Sequence, residues 1–170
     1  MTIRDAKTIA GRGQVQLRFA KRAAKVISSY QCLIVSADRQ RAALLQQAAS
    51  DGGWQTCVCD DTRSALAHLS RSFVHLGVVD LDGREPREFQ PVMERLASSS
   101  GVLLIVCGNE GNFQEELWVR QLGAWLYLPG VTDASNLATL CGEARQIVER
   151  LAHPVSEYSV ATTQSQRTNS

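Results

Sequence analysis

Three carboxylates stand out in this 170-residue sequence because of where they fall. Asp80 ends the apolar run HLGVVD, Asp82 follows two residues later, and Asp38 closes the segment LIVSAD. A carboxylate placed directly after a buried apolar strand can serve as nucleophile, metal ligand or polar cap. The sulfur and imidazole chemistry is thinner. Cys32, Cys57, Cys59, Cys107 and Cys141 are odd in number and form no C-x-x-C pair, whereas zinc sites and disulfide frameworks use more regular spacing. Buried, reduced thiols are therefore expected, and with them a cytoplasmic setting. Cys57 and Cys59 would share one face of a strand. A metal there would need ligands from elsewhere, and His68 and His75 read as core or surface histidines, so no metal site is expected. No glycine-rich phosphate loop follows the first apolar run, and no Ser-His-Asp or Cys-His set is evident. An independent enzyme is not expected. The GNEGN segment at 108–112 reads as a loop.

These residues need elements to position them. Apolar runs at 32–35, 54–59, 75–79, 102–107 and 124–128 alternate with stretches whose apolar residues recur at helical spacing. Ala42, Leu45, Ala48 and Ala49 form one stripe; Phe89, Val92, Met93 and Leu96 form another. The longest runs through Leu137, Leu140, Cys141, Ala144, Val148 and Leu151, with Asp133 as its cap and Pro154 beyond its end. Five strands alternating strictly with five helices imply an α/β, doubly wound, three-layer parallel sheet of (βα)5 type over 31–152. The LIV and VLLIV runs suit strands buried on both faces. In such sheets reactive groups gather at the carboxyl ends of the strands, near the switch in strand order. That rule selects Ser36, Ala37 and Asp38 after the first strand, and Asp80 and Asp82 after the third. It also selects Cys107, Gly108 and Asn109 after the fourth, and Pro129, Gly130 and Val131 after the fifth.

The charge is uneven. Residues 1–30 carry seven Lys or Arg against Asp5 alone, leaving eleven basic and sixteen acidic residues for the rest, a net of −5. Within this leader, 14–29 reads as a basic amphipathic helix. Phe19, Ala20, Ala23, Ala24 and Ile27 gather on one side, and Arg18, Lys21, Arg22 and Lys25 on the other. The leader lacks the apolar centre of a secretory signal, and no apolar run is long enough to span a bilayer, so neither export nor membrane insertion is expected. The tail from 153 to 170 is polar and is expected to be disordered.

The order of elements, the segment GVVDLDG and the segment GAWLYL together resemble the receiver domains of two-component response regulators, whose fold is flavodoxin-like. The resemblance covers about residues 31–152. It implies that Asp80 sits at the phosphoacceptor position and Tyr127 at the aromatic switch position of the fifth strand. It also exposes departures. The family's acidic pair after the first strand appears as Ser36 and Ala37, with only Asp38 adjoining. Cys107 replaces the Ser or Thr that ends the fourth strand, and Gly130 and Val131 replace the Lys-Pro pair after the fifth.

Phosphoryl transfer to a carboxylate requires positive charge on the moving phosphoryl oxygens, supplied mainly by Mg²⁺ and cationic side chains. Losing the acidic pair removes most of the oxygen cage that Mg²⁺ wants. Losing the lysine removes the ammonium, and a thiol is a poor substitute for the hydroxyl donor. The expectation is a pseudo-receiver, without cofactor, signalling by protein–protein contact. The family's docking face, formed by the fourth helix, fifth strand and fifth helix, carries Trp118, Trp125 and Tyr127, with Phe113 nearby, and would take a protein partner or a second copy. One alternative is a working phosphorelay receiver, phosphorylated on Asp80 with Mg²⁺ held by Asp38, Asp80 and Asp82. Another is a nucleic-acid-associated regulator using the basic helix, which the acidic main domain disfavours.

Overall fold

The computed structural model describes residues 29–130 and 133–152. The basic helix expected at 14–29 lies, but for Ser29, outside them, as do Val131 and the tail from 153.

Five parallel strands, β1 (Gln31–Val35), β2 (Gln55–Cys59), β3 (Leu76–Asp80), β4 (Leu103–Gly108) and β5 (Leu126–Pro129), form one sheet in the order β2-β1-β3-β4-β5. They alternate with α1 (Arg39–Asp51), α2 (Thr62–Leu69), α3 (Gln90–Ala97), α4 (Phe113–Gln121) and α5 (Ala134–Ala152). The order reverses between β1 and β3, so the crevice at their carboxyl ends is the natural site. This is the doubly wound α/β sheet expected from the alternation of patterns.

Burial follows position in the sheet. All five residues of central β3 are buried, whereas edge strand β2 exposes Gln55 and Val58. Two cores flank the sheet. One packs Cys32, Ile34 and Ile105 against Leu45, Ala48 and Ala49 of α1 and Leu137, Cys141, Ala144 and Val148 of α5. The other packs Leu33, Val35, Val79 and Val106 against Ala65, Val92, Met93, Leu96 and Val119. The helical stripes meet the sheet as their spacing requires. Leu151 departs from this pattern: it is exposed, because the last turn of α5 extends beyond the core its earlier turns cover. The fifth strand also begins two residues later than its apolar run suggests, and it ends on Pro129, which an edge strand tolerates.

Two close approaches depend on missing side chains. A Cβ on Gly77 would lie 2.5 Å from Leu96 Cδ1, so glycine lets α3 seat against β3. A Cβ on Gly108 would collide with Glu115 Oε1 and the Tyr127 hydroxyl, space that the site itself uses. Among the described residues no helix is long and apolar enough to cross a membrane.

Candidate functional site

Asp80 ends β3 with its side chain only 2 % exposed. A buried carboxylate must be paired and hydrogen-bonded, and this one is. The Ser36 hydroxyl, from the end of β1, donates to Oδ2 at 2.8 Å. Arg41, in the first turn of α1, donates through Nε to Oδ2 at 2.9 Å and through its terminal nitrogen to Oδ1 at 2.8 Å. The other terminal nitrogen of the same guanidinium lies 2.9 Å from Asp82 Oδ2. One planar cation thus clamps Asp80 in the fork geometry that matches a carboxylate and holds Asp82 with its free edge. The hydrogen bonds to Asp80 push Arg41 above its ordinary value and keep it charged.

Arg41 carries the largest part of this site, and sequence reasoning passed over it. One signal was present. Arg39 and Arg41 place two cations in the first turn of α1, which has no acidic residue there, against the helix dipole. A cation so placed is stabilised by an acidic partner from outside its own helix, and for Arg41 β3 supplies one.

Asp38 is turned to other work. It caps α1, with Oδ1 accepting the backbone N–H of Gln40 at 2.7 Å and of Arg41 at 2.9 Å. These bonds, that of Arg41 first, hold its carboxyl below the usual range. Asp38 therefore positions Arg41 through the helix start, and it does not share an acidic cluster with Asp80 and Asp82. In this arrangement the crevice leaves Mg²⁺ no pair of free carboxylates. The Arg41 guanidinium already spans Asp80 and Asp82, and the Asp38 carboxylate is committed to backbone donors. Among the described residues no group of three or more His, Cys, Asp or Glu is arranged to hold a metal.

Cys107 lies opposite Asp80 in the β3–β4 register and is fully buried. Burial first, and then the charge of Asp80, pushes its thiol well above the ordinary range. It offers a soft, protonated sulfur where a hydroxyl donor was expected in the family pattern.

Tyr127 was expected to contribute to a docking surface. Instead its side chain is buried, and its hydroxyl donates to Glu115 Oε1 at 2.7 Å. Glu115 is itself buried and also accepts Asn109 N–H at 2.9 Å and Asn109 Nδ2 at 3.1 Å. The missing side chain of Gly108 leaves room for this pair. Burial, followed by the hydrogen bond to Glu115, raises the Tyr127 phenol above its ordinary value. Glu115 also went unremarked in the sequence, though Asn112 and Glu115 have capping-box spacing. Half of that box forms, since Asn112 Oδ1 accepts Glu115 N–H at 3.1 Å. The carboxylate then turns inward to the tyrosine.

Trp118 is partly buried against the core below α4, while Trp125 is 36 % exposed. The apolar side chains that this region presents to solvent are Phe113, Leu117 and Trp125.

No protein-family profile matches the sequence, and no curated protein sequence matches it. Solved structures do. A CheY-like response regulator receiver domain protein from Methanospirillum hungatei is 18 % identical, over 73 % of this chain and 99 % of that one, with a TM-score of 0.63. A response regulator from Thermotoga maritima is 16 % identical, over 71 % and 98 %, with a TM-score of 0.59. An orphan response regulator of H. pylori is 13 % identical, over 68 % and 96 %, with a TM-score of 0.58. The chain has the fold of the response-regulator receiver domains. At these identities the likeness is one of fold, and what the site does must be argued from its own residues.

Proposed function

We propose that this chain is a receiver-like signalling domain that works without phosphorylation, by contact with another protein, and that it is neither an enzyme nor dependent on a cofactor. The observation that carries this reading is the Arg41 guanidinium closed on Asp80 and Asp82. Attack of a carboxylate on a phosphoryl group needs one free oxygen in line with the phosphorus and mobile positive charge on the equatorial oxygens. Here both oxygens of Asp80 accept hydrogen bonds, and the available cation is held on the nucleophile rather than on a phosphodonor. Ser36, Ala37, Cys107 and Gly130 supply no further charge.

The same arrangement supports a fixed output face. With Asp80 neutralised internally and Tyr127 tied to Glu115, the groups linking the crevice to α4 and β5 have their partners already. Phe113, Leu117 and Trp125, exposed on and beside α4 and at the start of β5, supply apolar contact area of the kind that anchors interfaces.

The test is incubation of the purified full chain with acetyl phosphate and Mg²⁺, read by intact mass beside Asp80→Asn. No phosphoryl mass gain in either protein is expected. A stoichiometric gain in the wild type that is lost in Asp80→Asn would overturn the proposal and make the chain a phosphorelay receiver.

A further inference from the structure

The edge strand β2 brings together three residues that the crevice does not use. Cys57 and Cys59 lie on the same face of β2, beneath α2, and Cys57 Sγ is 3.5 Å from Nδ1 of His68 in the last turn of that helix. Cys57 and His68 are both half-buried, while Cys59 beside them is 8 % exposed. The remaining cysteines are sealed in the cores: Cys32, Cys107 and Cys141 are each at most 1 % exposed. Burial pushes the Cys141 thiol up to about 11 and raises Cys32 and Cys107 as well. Among the five thiols, Cys57 is the one that is not fully buried and the one that lies beside an imidazole nitrogen.

A thiol whose proton can pass to an adjacent imidazole is the arrangement that makes a cysteine nucleophilic. In the tautomer with its proton on Nε2, His68 presents the Nδ1 lone pair to Cys57 Sγ. The second thiol lies on the same strand face. Two residues along a strand separate Cα atoms by about 6.6 Å, just inside the upper limit of about 6.8 Å for a disulfide, but parallel Cβ vectors leave the Cβ atoms beyond the usual span of about 4.5 Å, so closing the bridge requires the edge strand to bend. A bridge at that limit carries strain, and strained disulfides are the readily reduced ones.

We propose that Cys57, His68 and Cys59 form a reversible thiol–disulfide exchange site that takes a low-molecular-weight disulfide of the glutathione class. In the first step His68 Nδ1 takes the Cys57 thiol proton, and the thiolate attacks one sulfur of the reagent. A Cys57–glutathionyl bond forms, the reagent's S–S bond breaks, and the departing thiolate is protonated from the imidazolium. In the second step the Cys59 thiol, which burial holds above its ordinary value, attacks the Cys57 sulfur, and its proton passes to the glutathione thiolate that is expelled. The two cysteines lose two electrons together, and the reagent is reduced to two thiols.

The test uses the reduced full chain with oxidised glutathione, followed by peptide mapping under acid quench. Cys57 is expected to react first, and the end product is expected to be a Cys57–Cys59 bridge, with Cys59→Ser halting at the Cys57 mixed disulfide. His68→Gln, a change at a half-buried helix position, is expected to slow the Cys57 step about tenfold while leaving the circular dichroism unchanged. The inference fails if another cysteine reacts first, if His68→Gln reacts at the wild-type rate, or if the wild type stops at the mixed disulfide.

Discussion

If Arg41 stands in for the missing charges at the crevice, removing it should cost more than removing its partner. Arg41→Met keeps the aliphatic stem and deletes the guanidinium, leaving the Asp80 carboxylate, 2 % exposed in the wild type, with only the Ser36 hydroxyl at 2.8 Å and the Asp82 N–H at 3.3 Å. Breaking a buried ion pair from one side costs about 3–5 kcal/mol. The arginine is 23 % exposed, so water can reach the vacated space, and the expected loss falls to about 2–3 kcal/mol. Asp80→Asn keeps an acceptor for Arg41, which also retains Asp82 at 2.9 Å, and should cost about 1 kcal/mol. In Arg41→Met/Asp80→Asn no charge is left unpaired in the core, so the double variant should recover about 2 kcal/mol relative to additivity. Urea unfolding at neutral pH reads all four corners of this cycle, with the slopes compared to confirm a two-state transition. For a folded domain of this size the Arg41→Met loss corresponds to a fall in Tm of about 10 °C. An Arg41→Met loss below about 0.5 kcal/mol, or strict additivity in the double variant, would refute the assignment of Arg41 as the internal counterion of Asp80.

Two further outcomes follow from the buried groups. The phenol of Tyr127 and the thiols of Cys32, Cys107 and Cys141 are all raised in the folded chain. Above about pH 9 the unfolded chain therefore releases protons that the native chain retains, and stability, full below that pH, falls as pH rises through the raised values. Urea midpoints measured from pH 8 to 11 should decline, less steeply in Tyr127→Phe than in the wild type above pH 10; a flat profile would contradict the burial of these groups. Gly108→Ala forces a methyl into the space between Glu115 and Tyr127 and should cost about 1–3 kcal/mol by overpacking, with increased accessibility of Tyr127 to an aqueous quencher. A silent substitution would mean that the tyrosine does not need its inward seat.

The sequence by itself determined the architecture. Alternation of apolar runs with helical stripes allows few arrangements other than a doubly wound parallel sheet, because each pattern must bury its own face. From that topology alone Asp80 could be placed at the carboxyl end of a central strand, since a period-2 element followed by a loop leaves little freedom there. The tertiary structure decided what Asp80 touches. Arg41 is distant from it in sequence, and only the pairing of β1 with β3, which sets the start of α1 beside the end of β3, brings a guanidinium onto the carboxylate. No local propensity encodes that meeting. Asp38 illustrates the converse: the same segment that offered an acid to the crevice could instead close the start of α1, and two backbone donors, fixed in place by the helix, decided between them. Tyr127 follows the same rule, because its inward seat depends on an absent side chain at Gly108 and on a carboxylate from the preceding helix. Pair partners across elements are a property of packing, and packing is what the linear pattern of apolar residues leaves open.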